Sequence, residues 1–150
     1  MPISNFPNGF AAGVTIQNMP VLNNYGGSVY WVDSGAGSDG NPGTFSQPFS
    51  TIDYTVGRCI ANNGDTVMVK PGHTETVIAA AGLAIDVAGI TFIGLGNGSD
   101  RPTINYTTAV GADMDIDAAN TTIVNFLFTG GIDALTGPID INAADCSLYN

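Results

Sequence analysis

The sequence predicts an all-β solenoid of a few coils, with one capping helix near its start and an extended N-terminal arm, and three observations predict it. The first is a motif that occurs three times without gaps, AIDVAGITFIG at 84–94, DIDAANTTIVN at 115–125 and DINAADCSLYN at 140–150. Its anchoring isoleucines, Ile85, Ile116 and Ile141, stand 31 and then 25 residues apart, a spacing at which self-similarity means stacked repeats. The second is composition: 20 Gly and 8 Pro with only 11% charged residues suit strands and tight turns better than long helices. The third is a series of short β-branched or aromatic runs, each bounded by turn formers.

Taken in order, residues 1–28 carry no charge, and Pro and Gly break any helix there. Phe6, Phe10, Ile16, Met19, Leu22 and Tyr25 supply apolar anchors, so the segment is expected to lie on a surface. That surface belongs either to a partner, which makes these six residues partner-binding, or to the chain's own body. The body is expected to occupy 29–150. It opens with a strand at Val29, Tyr30, Trp31 and Val32 and a loop rich in Gly, Ser, Asp and Asn. Asp33, Asp39 and Asn41 in that loop are the weak candidates for a metal site, but they lack the order and terminal glutamate of a calcium loop and read first as turn formers.

A helix is predicted over 50–62, with Ser50 as N-cap, Asp53 three residues on as its reciprocal partner, and Phe49 and Tyr54 at staple spacing. Ile52, Val56, Cys59 and Ile60 would share its buried face, and Asn62, Asn63 and Gly64 would stop it. Strands follow over 65–70 and 74–78, then the first motif copy, a Gly-rich loop at 94–102, a strand at 103–106 and the remaining copies.

Stacking the three copies about 4.8 Å apart predicts internal columns of Ile85, Ile116 and Ile141; Val87, Ala118 and Ala143; Phe92, Ile123 and Leu148; and Ile90, Thr121 and Cys146. Gly94, Asn125 and Asn150 would form a left-handed turn column, with a ladder of Asn125 over Asn150. The longer first spacing belongs to the loop at 96–101. The last copy leaves a strand edge that invites pairing, so a partner or further coils should cover it.

The segment from Tyr30 to Ser34, its Gly/Ser/Asp/Asn loop, Gly43 and Thr44, the run from Gln47 to Ile52, and then Gly64, Asp65, Thr66, Val67, Met68, Val69, Pro71 and Gly72 resembles the entry of right-handed parallel β-helix proteins of the pectate-lyase-like superfamily, including those of tailed-phage virions. The resemblance covers about 29–78 by motif. It implies a strand and loop leading through a capping helix into the first coil. It leaves function open, since the superfamily holds lyases, hydrolases, adhesins and tailspikes.

The totals exclude several partners. Three basic residues against 13 acidic ones give a net charge of −10, which repels nucleic acid and anionic membrane surfaces. No apolar run is long enough for a membrane helix, and the N-terminus does not read as a secretory signal. Cys59 and Cys146 have no metal or redox spacing and read as buried free thiols. No cofactor is implied.

Asp113, Asp115 and Asp117 alternate on one outward strand face, and stacking adds Asp86, Asp140 and Asn142. Such carboxylates can perform acid/base hydrolysis, and in the related lyases clustered aspartates hold calcium beside a basic residue. Here no basic residue stands in a repeat column. His73, the sole histidine, is expected at the surface. The expectation is therefore a non-enzymatic structural protein on the outer surface of a tailed-phage virion, a decoration or head-fibre component held to capsid or fibre subunits through the arm. Homo-oligomerisation is expected, as a trimer by analogy with phage fibres. The alternative is a carbohydrate-active protein, a tailspike-type depolymerase or lyase with Asp115 and Asp117 as its catalytic carboxylates, or a non-catalytic glycan-binding module.

Overall fold

The computed structural model describes residues 15–16, 19–20, 26–107 and 109–150. Two short strands, β1 (Thr15–Ile16) and β2 (Met19–Pro20), pair antiparallel near the N-terminus. Phe6, Phe10, Leu22 and Tyr25 lie outside the described residues, as do the side chains of Ile16 and Met19, so the partner-binding expectation for the arm falls there too.

The body is a parallel β-solenoid of about three turns. Each coil contributes one strand to each of three sheets. The first coil is β4 (Thr66–Val69), β5 (Thr74–Val77) and β6 (Leu83–Ile85); the second is β7 (Thr91–Gly94), β8 (Thr103–Tyr106) and β9 (Met114–Ile116); the third is β10 (Thr122–Val124), β11 (Leu127–Gly130) and β12 (Ile139–Ile141). Together with β3 (Val29–Val32) before them and β13 (Ser147–Tyr149) after, they form sheets ordered β13-β10-β7-β4-β3, β11-β8-β5 and β12-β9-β6. No described helix is long and apolar enough to cross a membrane.

The repeat produces this arrangement because each coil buries its inward side chains only against its neighbours. Phe92 pairs with Ile123 and Ile123 with Leu148, while Ile85 pairs with Ile116 and Ile116 with Ile141. Phe92, Ile123, Ile85 and Ile116 are buried; the terminal members Ile141 (50% exposed) and Leu148 (38%) are not, because no described coil lies beyond them. Ile90 and Thr121 are buried, and Cys146 packs against the same core. The difference between the spacings lies mainly where the sequence places it, in the loop between β7 and β8, which, counted between register partners, is seven residues longer than its counterpart between β10 and β11 and carries a 3-10 turn at Gly98–Asp100; one residue fewer between β8 and β9 than between β11 and β12 reduces the net to six.

Several local expectations are corrected. The helix, α1, spans only Ile52–Val56, and its N-cap is Thr51, whose hydroxyl accepts from the Tyr54 amide at 3.3 Å. Ser50 is held in the loop because Asp39 accepts its amide at 2.9 Å and that of Thr51 at 3.3 Å. Ile60, outside the helix, is 62% exposed. Phe49 and Tyr54 still meet edge to face, with ring centroids 5.2 Å apart, and Ile52 and Val56 join the core.

The left-handed column is also displaced from its expected place. Asn62, Gly89, Asn120 and Asp145 all have positive φ (56°, 79°, 60° and 58°) and are bridged by amides: Asn62 donates to Ala88, Gly89 to Ala119 and Asn120 to Ala144. Asn125 is left-handed too, but its side chain donates to the carbonyls of Gly94 (2.9 Å) and Gly96 (3.1 Å), while Arg101 takes the Asn150 side chain. No Asn125–Asn150 ladder forms. Gly94 is a glycine for proximity, since a Cβ there would stand 2.4 Å from the Asn125 carbonyl oxygen. Gly94→Ala is expected to cost roughly 2–3 kcal/mol by forcing two coils apart, read as a lowered urea midpoint; an unchanged midpoint would show that the coils give way freely.

Candidate functional site

The site builds on the outer face of the β6–β9–β12 sheet. Strand alternation turns Met114 and Ile116 inward and Asp115 outward, and parallel register sets Asp140 directly across from Asp115. Asp113, at the turn into β9, completes a group in which one carboxylate oxygen from each of Asp113, Asp115 and Asp140 lies within 4.8 Å of the others. Asp113 is held by the Ala81 amide. Partial burial and then the charges of Asp113, Asp117 and Asp140 push the Asp115 carboxyl above its ordinary value.

Asp117 does not join the close group. It is exposed, and Asn142 donates to it at 2.9 Å. The stacking expectation for Asp140 and Asn142 is met, and the carboxylates closest to Asp115 are those of Asp113 and Asp140, while Asp117 pairs with Asn142. Carboxylate oxygens at this separation fit around one divalent cation with oxygen ligands at about 2.3–2.6 Å, so these three residues are the ones that could hold a metal. Below the face, the Tyr106 hydroxyl is buried without a hydrogen-bond partner, and burial followed by the Asp113 charge pushes it up to about 12.

The other candidate metal group serves the loop. One Asp33 oxygen accepts the amides of Gly35 (2.9 Å) and Ala36 (3.3 Å) and the other meets Lys70 at 3.4 Å; Asp39 receives the start of α1; Asn41 donates to the Pro48 carbonyl at 2.8 Å. Burial pushes both aspartates up, but these hydrogen bonds, joined by Lys70 at Asp33, outweigh it and hold both below the usual carboxylate range.

His73 is corrected from surface to core. It is 1% exposed; its Nδ1 accepts from the Ser34 amide at 3.0 Å, which leaves Nε2 to donate to Glu75 at 3.0 Å. The same Glu75 oxygen accepts the Ile52 amide at 2.9 Å, and Thr74 donates to the Ser34 hydroxyl at 3.0 Å. A histidine enclosed this way ties β3, β5 and α1 together. The sequence reading also missed Asp65, which is 1% exposed and accepts from Ser28, Ile60 and Asn63, each at 2.7 Å. Its signal was an aspartate directly after an Asn-Asn-Gly turn, where a short carboxylate gathers backbone amides. Both cysteines are free and half-buried, and burial, then the charge of Asp65, pushes the Cys59 thiol up to about 12.

No protein-family model matches the chain, and no curated protein sequence does. Among solved structures the chain is similar to a rhamnogalacturonan lyase, at 24% identity and a TM-score of 0.53, over 70% of this chain and 29% of that one. The chain thus spans under a third of that protein's length. The likeness shows the fold, a parallel β-solenoid. It also corrects the expectation of a non-enzyme: the protein that shares the fold is an enzyme, so the lack of a recognisable catalytic motif does not stand as lack of catalysis.

Proposed function

We propose that this chain is a carbohydrate-active β-solenoid of the tailspike type, which engages a polysaccharide along its acidic face. The observation that carries the reading is the convergence of Asp113, Asp115 and Asp140 from two adjacent coils, on a fold shared with a polysaccharide lyase. Asp115, raised by its neighbours, keeps its proton to higher pH and is the donor to a glycosidic oxygen; Asp113 or Asp140, beside it, is the acceptor of a proton from water or sugar. A divalent cation held by the same three carboxylates would keep Asp115 ionised, so in that state the site would neutralise and bind an acidic sugar rather than donate a proton.

The tailed-phage setting, with other virion proteins as partners, extends the resemblance of residues 29–78.

The test is a panel of acidic and neutral polysaccharides, rhamnogalacturonan among them, with calcium and with a chelator. Cleavage is expected, and Asp115→Asn should lower it by about 10²-fold or more. A raised carboxyl pKa means that the folded chain holds the proton more tightly than the unfolded chain, so stability falls as pH rises through and above the ordinary carboxylate range. The same variant should therefore be slightly more stable than wild type at neutral pH, with the gain reduced by solvent screening. Binding without cleavage would leave a glycan-binding module; neither binding nor cleavage would sink the proposal.

A further inference from the structure

The five-stranded sheet has an outer face unlike the acidic one. Parallel pairing aligns Trp31 with Met68, Met68 with Ile93, Ile93 with Val124 and Val124 with Tyr149, one unbroken apolar row across all five strands. The row beside it is Val29, Thr66, Thr91, Thr122 and Ser147, again uncharged. Tyr30, Val67, Phe92, Ile123 and Leu148, offset by one residue, form the inward row, so the apolar row points out of the solenoid. In a chain with a net charge of −10, these ten outward positions form an uncharged contact surface, one row apolar and the other mostly hydroxyl, whose Trp31 end already meets the Phe45 ring edge to face with centroids 4.8 Å apart and Lys70 over that ring.

We propose that this surface is the seat of the chain's own N-terminal segment, residues 1–25. Three observations favour it over other occupants. The segment is itself uncharged, so it meets an acidic body without Coulomb cost where another acidic body would be repelled. It enters the body at Gly26, three residues before the end of the sheet at Val29, and even with β1 folded back on β2 the 14 residues before Thr15 would reach up to about 45 Å if extended, whereas four strand spacings make a row of only about 19 Å. The row alone, roughly 19 by 10 Å, offers on the order of 200 Å² per copy, well short of the roughly 800 Å² per partner of a stable protein interface. A tethered segment needs far less area, because its local concentration is set by the tether. The acidic face is then the one left open on the assembled molecule.

This surface is independent of the proposed glycan site, and its test leaves that site untouched. Trp31, the only tryptophan, stands at one end of the row and reports on it. In the full chain, Ile93→Lys and Val124→Lys place a charge on the outward row without disturbing the core. Each is expected to red-shift Trp31 emission, to raise its quenching by acrylamide at least twofold, and to speed chymotryptic cutting at Phe6, Phe10 and Tyr25 by tenfold or more, with far-UV circular dichroism unchanged. Equal cutting and equal quenching in wild type and both variants would overturn the proposal. So would quenching in the wild type that rises on dilution, since that would mean a second copy covers the row.

Discussion

Replacing Asp65 with alanine is expected to destabilise the protein by roughly 3 kcal/mol, among the largest effects of any polar substitution in this chain. The carboxylate accepts from Ser28 before β3, from Ile60 after α1 and from the Asn63 side chain, each at 2.7 Å, and it is 1% exposed. Alanine would take the acceptor from three part-buried donors gathered around a carboxylate that is itself buried, and each orphaned donor costs about 1 kcal/mol or more. Asp65→Asn keeps one acceptor oxygen but turns an N–H group toward donors, so about half the loss is expected. Urea unfolding with an unchanged slope and a lowered midpoint is the measurement. A loss under about 0.5 kcal/mol, the scale of an ordinary surface substitution, would mean that the three donors find water. Because Asp65 joins the segment before β3 to the turn after α1, the first coil should loosen before the later ones.

The contrast between Asp65 and the isoleucine columns shows what was legible in the sequence. Ile85, Ile116 and Ile141 recur because every coil needs the same inward residue at the same place, and repetition is visible without coordinates. So are the outward aspartates, since alternation about Ile116 fixes their side of the strand. Asp65, His73 and Thr51 act once each, through partners 37 (Ser28), 39 (Ser34) and 12 (Asp39) residues away. Nothing in local pattern signals such pairings. The helix was overextended for the same reason: Ile60 fits a 3.6-residue period, but its amide is taken by Asp65, which turns the chain out of the helix.

The site divides along the same line. Asp115 and Asp140 follow from register, whereas the approach of Asp113 depends on the turn at Ala79 to Gly82, where Ala81 sits at a φ of 49° and its amide holds Asp113. Asp117 has the right alternation but is drawn to Asn142. A sequence can place four carboxylates on one face; which three converge is decided by corners that the repeat does not share.

The second large effect is expected at His73. His73→Ala should cost about 3 kcal/mol, since it opens a cavity beside β3 and strands both the Ser34 amide and one side of Glu75, whose side chain is only 11% exposed. His73→Gln separates packing from hydrogen bonding, because its carbonyl oxygen can accept from Ser34 while its amide donates to Glu75, as the two ring nitrogens do now. It should retain most of the stability that alanine loses. Glu75→Gln should fall between the two, for the Ile52 amide keeps an acceptor while the histidine loses its charged partner. If alanine and glutamine prove equally damaging in urea unfolding, the ring's volume rather than its two hydrogen bonds holds β3, β5 and α1 together. If all three variants keep the wild-type midpoint, the first coil is secured by its apolar contacts alone, and the hydrogen bonds that Ser34 and Glu75 make to the buried His73 would then need a purpose other than stability.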